Sequence, residues 1–396
     1  MMKVYAVISE FNPFHNGHKY LIDTLKKDGD SAVIAIMSGS FVERGDVSII
    51  DKYARAEAAV LCGVDLVLEL PAPWCFAGAE FFALGGVSVA NGLGIVDSLA
   101  FGSESGDIES LVACADNLSS DAFTTALEAA RISRRDVGTA TLRAEVYKKL
   151  FGESEHFAGS NDLLALEYIR AIKQLDSGIT PTAIKRIGEV YNSEELTEIC
   201  SATAIRRVLA PEISDYSRRD LSRYMPKPSY DILERELSEG RIYALKCLDT
   251  AVLSLLRGHG AELLLGIMET SGGIENRLVA LANDCRTIEE LTAAAKGKHY
   301  SESRIRRLLI ASLLGVTMQD VEAPPKFTTV LAANSRGREL LSLARKRASI
   351  AILSKQSASK ELDGLAAEQY SRYMRAERVA ELCCLAEPRR ESAVMI

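Results

Sequence analysis

The stretch KVYAVISEFNPFHNGHKYLIDTLKK, Lys3 to Lys27, decides how this 396-residue chain folds. In Lys3 to Ser9, Val4, Val7 and Ile8 favour a pleated, apolar setting, which predicts a buried first strand. The loop Phe11-Asn12-Pro13-Phe14-His15-Asn16-Gly17-His18 then sits at the strand's carboxyl end. Pro13 restricts Asn12 to extended backbone, and Gly17 removes a Cβ where a ligand would approach. From Lys19 to Lys27 a helical pattern resumes, with Leu21 and Leu25 four apart. His15 and His18 therefore stand at a helix N-terminus, where free N–H groups and the positive end of the dipole favour anions. Two imidazoles able to donate hydrogen bonds there suit a triphosphate, and would stabilise charge developing at its α-phosphate. The other reading is a pair of histidines filling surface or core. Two of only five histidines flanking one glycine just after a first strand favour the phosphate loop.

Outward from this unit, Ala32 to Met37 and Asp65 to Leu70 are further strand candidates, separated by the helical Asp51 to Cys62. Gly78 to Ala90 continues as helix, Asp97 to Phe101 as a fourth strand, and Gly102-Ser103-Glu104 as its loop. This β-α-β-α-β order predicts an α/β fold with a parallel sheet and ligands at the strands' carboxyl ends. Asp107 to Gln174 reads as mostly helical, including Leu142 to Phe151 and Asn161 to Gln174, before a last strand at Thr182 to Ile187. A second helix start follows, with Ser201 as cap, then Thr203, then Arg206 about one and a half turns further on. Beyond Leu209, strand signals nearly vanish: Tyr216 to Tyr224, Tyr230 to Leu237, Ile242 to Leu256, Ile274 to Ala282, Ile288 to Ala295 and Ser301 to Leu314 all read as helix. Pro211, Pro226 and Pro228 punctuate the junction. The expected division is an α/β domain over residues 1–210 and an all-α domain over 211–396.

Bulk properties narrow the classes. Hydrophobic content of 47% with 26% charged residues is that of a globular chain, and no apolar run reaches the ~18 to 20 residues that cross a bilayer. The N-terminus runs straight into the first strand, which leaves no room for a cleavable signal, so a cytoplasmic location without membrane contact is expected. Eight cysteines are scattered without C-x-x-C spacing, and no metal ligand set is expected among them. A net charge of −7 argues against indiscriminate nucleic-acid binding but permits a locally basic face.

Individual residues carry open alternatives. Gly102 suits either close approach of a nucleotide or a plain turn. Glu104 is equally divided. Asn161 could contact a nucleotide or help cap a helix, and Arg186 could meet a ligand at the sheet edge or lie on the surface. Ser38, Gly39, Arg44 and Asp46 occupy the long loop after the second strand, a common place for an acceptor substrate. Glu69 and Trp74 flank Pro71 and Pro73, where a small carboxylate pocket could lie. Lys296, Lys298, Arg304, Arg306 and Arg307, with Tyr300 among them, form a dense basic segment. Such a segment can neutralise phosphates and stack an unpaired base, or be a solvated helix face.

Taken together, the HNGH loop, the Gly102-Ser103-Glu104 loop and Ser201-x-Thr203-x-x-Arg206 resemble the HxGH nucleotidyltransferase superfamily. Ala202 departs from its usual second serine. A closer resemblance, to the bacterial tRNA(Met) cytidine acetate ligase family, spans nearly the whole chain. It is carried by FNPFHNGH (Phe11 to His18), MSGSFVERGD (Met37 to Asp46), DKYARAEAAVLCGVDLVLELP (Asp51 to Pro71), FGSES (Phe101 to Ser105), GSNDLLALEY (Gly159 to Tyr168) and IKRIGEVY (Ile184 to Tyr191). IENRL (Ile274 to Leu278) and KGKHYSESRIRRLL (Lys296 to Leu309) extend it. The resemblance implies a Rossmann-like catalytic half and a helical half that holds tRNA. It also implies an ATP-dependent ligase that makes acetyl-adenylate and pyrophosphate, then acetylates N4 of the wobble cytidine of elongator tRNA(Met). On this resemblance His15, His18 and Arg206 are the catalytic residues. ATP would be bound by Val7, Ile8, Ser9, Glu10, Phe11, Asn12, Pro13, Phe14, His15, Asn16, Gly17, His18, Lys19 and Tyr20. Gly102, Asn161, Arg186, Ile187, Ser201, Thr203 and Arg206 would complete that site. Lys296, Lys298, Tyr300, Arg304, Arg306 and Arg307 would bind tRNA. ATP and acetate are the expected small partners, Mg2+ would accompany ATP, and no obligate protein partner is expected. A small-molecule adenylyltransferase and a noncatalytic RNA-binding protein are the rival readings.

Overall fold

The computed structural model describes residues 2–27, 29–134, 137–187, 202–209, 221–270, 272–384 and 393–396. The strands are β1 (Lys3–Ser9), β2 (Ser31–Ser38), β3 (Phe41–Val42), β4 (Asp46–Val47), β5 (Leu66–Leu70), β6 (Ser98–Ser103), β7 (Thr180–Lys185), β8 (Phe327–Ala333), β9 (Ala351–Leu353) and β10 (Val394–Met395). The first half holds helices α1 (Asn16–Lys26), α2 (Lys52–Leu61), α3 (Ala79–Gly92), α4 (Ile108–Ser119), α5 (Asp121–Ser133), α6 (Thr139–Phe151), α7 (Ser160–Gln174) and α8 (Ala202–Val208). The second holds α9 (Lys227–Ser238), α10 (Asp249–His259), α11 (Ile274–Ala282), α12 (Ile288–Ala295), α13 (Glu302–Leu314), α14 (Met318–Glu322), α15 (Ser335–Arg347) and α16 (Gly364–Cys384).

The main sheet runs β10-β8-β5-β2-β1-β6-β7, with β9 added beside β8. From β5 to β7 it is parallel, as β-α-β connections demand. Every residue of β2 is buried, because helices cover both faces and a continuous apolar run is then the stable solution. On one face Ala54, Ala58 and Ala59 of α2 pack in a cluster with Val7, Val33 and Ala35. On the other, Val87 and Ala90 of α3 share a cluster with Ala6, Ile36 and Leu99. At Gly86 an added Cβ would lie 2.6 Å from Ile8 Cδ1, so only glycine lets α3 sit this close to β1.

Chain direction reverses its lateral progress at β1. The connection through α1 leads to β2 on one side, and the chain later returns to β6 on the other. Pairing of β1 with β6 is recorded at Tyr5 with Ser98 and Ala6 with Leu99, while both strands continue for several residues beyond. Their carboxyl ends therefore border a crevice, the usual ligand position in an open α/β sheet.

The expectation of an all-α second half is corrected. β8 pairs antiparallel with β5, Leu66 opposite Ala333, and β9 and β10 both run parallel to β8. In FTTVLAA (Phe327–Ala333) every position but Thr329 is buried, so the segment lacks the polar face of a surface helix. It covers β5, whose open hydrogen-bonding edge would otherwise invite association. Gly337, in the first turn of α15, permits the approach, since a Cβ there would be 1.9 Å from Asp65 O. The helices between also share a core with the sheet: Leu253, Leu278, Leu291 and Leu308 belong to the same apolar cluster as Ile36 and Leu99. Residue 210 thus separates chain segments that meet again in one sheet and one core. Ile242 to Leu256, expected as one helix, is split into a 3-10 turn at Leu245–Leu248 and α10. Of the expected helix Tyr216 to Tyr224, a 3-10 turn at Leu221–Arg223 is present and residues 216–220 lie outside the described residues. Among the described residues, no helix is long and apolar enough to cross a membrane.

Candidate active site

His15 is the N-cap of α1, and its Nδ1 accepts the Gly17 N–H at 3.0 Å. In return His18 Nδ1 accepts the His15 N–H at 3.2 Å. This is the logic of a capping box, with imidazoles in place of the usual Ser and Glu. The rings lie 3.8 Å apart at 32°. With each Nδ1 occupied as an acceptor, a neutral ring must carry its proton on Nε2, so the pair presents two N–H donors. Burial, then the Arg186 and Arg206 guanidiniums, push the His15 pKa down to about 3. Burial, then His15 and Arg186, hold that of His18 well below its usual value. Both rings are consequently neutral donors at physiological pH.

The loop is rigid because its apolar residues are anchored inward. Phe11 and Phe14 are buried with ring centroids 4.9 Å apart, and the edge of His18 meets Phe11 at 5.0 Å. Phe11 holds φ 43°, a left-handed conformation that costs about 1–3 kcal/mol in a non-glycine residue. Asn12 Oδ1 accepts the Ile49 N–H, Ser229 Oγ donates to Phe14 O, and Asn16 Nδ2 donates to Arg223 O. Val7, Phe11, Asn12, Pro13 and Phe14 are buried, Asn16 donates to Arg223 O, and Lys19 pairs with Asp23 on the surface.

A cleft opens beside His18. Of the expected nucleotide-binding residues, Ile8, Ser9, Gly17, His18, Tyr20, Gly102, Asn161, Arg186 and Ile187 line it. Leu21, Ala100, Phe101, Leu164, Tyr168, Ile184 and Lys185 also do, and sequence reasoning missed them. Asn161, Leu164 and Tyr168 fall on one helix face, so their spacing was a usable signal. Glu104 caps α7, accepting the Asn161 and Asp162 N–H groups at 3.1 and 2.7 Å. Asn161 Nδ2 donates to Glu104 at 2.6 Å, and its Oδ1 accepts from Arg186 Nη1 at 3.4 Å. Gly102 leaves room for Arg186, whose Cγ would stand 3.3 Å from an added Cβ. Behind this wall Asp162 accepts from Ser103 Oγ at 2.5 Å and pairs with buried His156 at 2.9 Å.

On the opposite side Arg206 donates to Asn12 O at 2.7 Å and to Thr203 Oγ1 at 3.2 Å. Ser201 lies outside the described residues. Glu10 Oε1 accepts the Glu43 N–H at 2.9 Å. The notion of a carboxylate pocket at Glu69 and Trp74 is corrected: both are fully buried, Glu69 against Lys52 and Tyr373, Trp74 donating to Val321 O.

The basic segment divides in two. Lys298 is exposed, Lys296 is exposed beside Glu302, and half-buried Arg306 stands 4.0 Å from that same carboxylate. Arg304 and Arg307 turn inward. Arg307 is buried and binds Glu269 at 2.6 Å and Glu43 O at 3.2 Å. Arg304 binds Glu269 at 3.3 Å and lies 5.0 Å from the centroid of the Tyr300 ring.

A family model described as HIGH Nucleotidyl Transferase matches residues 2–393. A tRNA(Met) cytidine acetate ligase of Acetivibrio thermocellus is 36% identical over 368 residues, 90% of this chain and 89% of its own. One of Thermoanaerobacter pseudethanolicus is 35% identical over 369 residues, 91% of this chain and 90% of its own. Two crystal structures of Thermotoga maritima TmcAL match over 100% of both chains at 31% identity. The form with alpha-thio ATP has a TM-score of 0.89 and the apo form 0.91.

Proposed function

The chain belongs to the HIGH nucleotidyl transferase family and, within it, to the tRNA(Met) cytidine acetate ligases, and we propose that it acetylates N4 of the wobble cytidine in elongator tRNA(Met) at the expense of ATP. The observation that carries this reading is the pair of neutral imidazoles locked at the N-terminus of α1, with His18 lining the cleft.

ATP would place its base against Leu164, Tyr168 and Ile184 and its phosphates across the α1 N-terminus. An acetate oxygen attacks the α-phosphorus, the bond to the β-bridging oxygen breaks, and pyrophosphate leaves. His15 and His18 stabilise the charge gathering on the α-phosphate oxygens, and Arg206 with Thr203 holds the departing pyrophosphate. The cytidine N4 then attacks the acetyl carbonyl, loses a proton, and AMP departs. Neither step needs a protein nucleophile, so positioning and charge stabilisation carry the rate. The described residues include no group of three or more His, Cys, Asp or Glu able to hold a metal. A magnesium ion arriving with ATP would supply charge neutralisation on the phosphates.

Lys296, Lys298 and Arg306 would form the RNA-facing part of the basic segment, since they reach solvent whereas Arg304 and Arg307 turn inward onto Glu269. A cytoplasmic setting fits a tRNA substrate. Purified protein given ATP, acetate and bulk tRNA should release pyrophosphate and yield N4-acetylcytidine on nucleoside mass spectrometry. No modified nucleoside from a complete tRNA extract would refute the RNA assignment. Lys298→Glu with Arg306→Glu should weaken RNA modification while acetate-dependent ATP–pyrophosphate exchange persists, and equal loss of both would contradict separate surfaces.

A further inference from the structure

The tight turn Glu43-Arg44-Gly45, between β3 and β4, lies between the nucleotide site and α13. On the nucleotide side, Arg44 Nη1 reaches Thr203 Oγ1 at 3.5 Å, and Arg206 Nη2 reaches the same oxygen at 3.2 Å. Two guanidinium forks thus converge on one hydroxyl beside the loop that carries His15 and His18. Like charges brought together repel, and a polyanion between them removes that repulsion. Glu10 and Asp46 offset the Arg206 charge in part, and Glu43 lies near Arg44 while it pairs with Arg307.

On its other side the turn is pressed onto α13. Arg307 Nη1 donates to Glu43 O at 3.2 Å and stands 3.4 Å from Glu43 Oε1, while its Nε donates to Glu269 at 2.6 Å. Gly45 has φ 70°, and an added Cβ would lie 2.5 Å from Arg307 N and 2.7 Å from Arg306 Cβ. The turn can therefore neither rise nor slide without breaking the Arg307 contacts.

We propose that Arg44 is a further cation of the triphosphate site, gripping the departing pyrophosphate opposite Arg206, and that Arg307 is its positioning residue, acting from α13 through the turn. This rests on the adenylyl-transfer reading above. Acetate-dependent ATP–pyrophosphate exchange without RNA is the test. Arg44→Gln should raise KM for ATP and for pyrophosphate by about 10-fold or more, the size of one lost charge-assisted hydrogen bond. Arg307→Gln should raise both several-fold, Arg307→Lys should recover part of the loss, and the double variant should be no worse than Arg44→Gln alone. Loss of folded protein would lower the maximal rate and leave KM in place, so the two effects separate. Gly45→Ala, which keeps the Arg307 charge but displaces the turn, should also raise KM. Unchanged KM values in Arg44→Gln, or losses that multiply in the double variant, would overturn the proposal. Calorimetric binding of inorganic pyrophosphate should weaken in Arg44→Gln alongside. It reads the site independently of the carboxylate: absence of exchange in the wild-type protein defeats the adenylation reading, whereas unaltered pyrophosphate binding in Arg44→Gln defeats this inference alone.

Discussion

His15 and His18 differ from surface histidines in what occupies their Nδ1 atoms, and the consequence is measurable in both activity and stability. Removal of one pre-organised donor from a charge-stabilising site typically costs ~10² to 10³ in rate. His15→Ala with His18→Ala should therefore abolish measurable exchange, and full turnover in that protein would remove the catalytic assignment. The lowered His15 pKa also fixes a pH dependence. Between its folded value of about 3 and the ordinary imidazole value of 6.5, the unfolded chain binds more protons than the folded one. Stability should thus fall as pH drops through that window, and His15→Gln should flatten the slope in thermal melts. Glu43 and Asp46 have burial-raised pKa values and act with the opposite sign, so the comparison between wild type and variant isolates the histidine. At this scale the sequence was highly informative: residue type, one glycine and a preceding strand located the pair. It was uninformative about Arg304 and Arg307, because a one-dimensional charge run does not reveal that Glu269 and Glu43 wait on other elements.

Helix α16 contributes a buried charge network that no local pattern announces. Glu377 and Tyr373 from this helix meet Lys52 Nζ at 2.9 and 2.7 Å, and Lys52 also reaches Glu69 at 3.1 Å. Ser40 Oγ donates to Glu377 at 2.7 Å, so α16 fastens the start of the loop that carries Arg44. A buried pair stabilises only modestly against an apolar substitute, but removing one partner is costly. Lys52→Met leaves two buried carboxylates without their cation and should destabilise by about 3–5 kcal/mol in urea unfolding. Adding Glu69→Gln and Glu377→Gln should recover part of that loss, and additive losses would show that the groups act separately. The capping of α7 by Glu104 gives a second measurement. A Cβ at Gly159 would lie 2.6 Å from the Glu104 carboxylate, so Gly159→Ala should weaken nucleotide binding by displacing Asn161.

As a whole molecule the chain folds back on itself, because β8 covers the edge of β5 and α16 reaches the loop after β2. A fragment ending at residue 326 keeps every nucleotide-lining residue yet leaves that edge bare. It should aggregate or fail to melt cooperatively, whereas a soluble, nucleotide-binding fragment would show that the C-terminal segment is dispensable. By itself the sequence determined the β-α-β order, the position of the HNGH loop at a strand's carboxyl end, and the two histidines at the start of the helix that follows. Those properties follow from periodicity, backbone restriction and residue type, which act over a few neighbouring positions. Only the tertiary structure decided which cations are paired with carboxylates, that Phe327–Ala333 is a strand, and that Tyr373 and Glu377 close a charge network begun at Lys52. Each of these depends on partners from about 35 to more than 300 residues away, where burial and charge compensation are set by packing, and no local pattern encodes the partner.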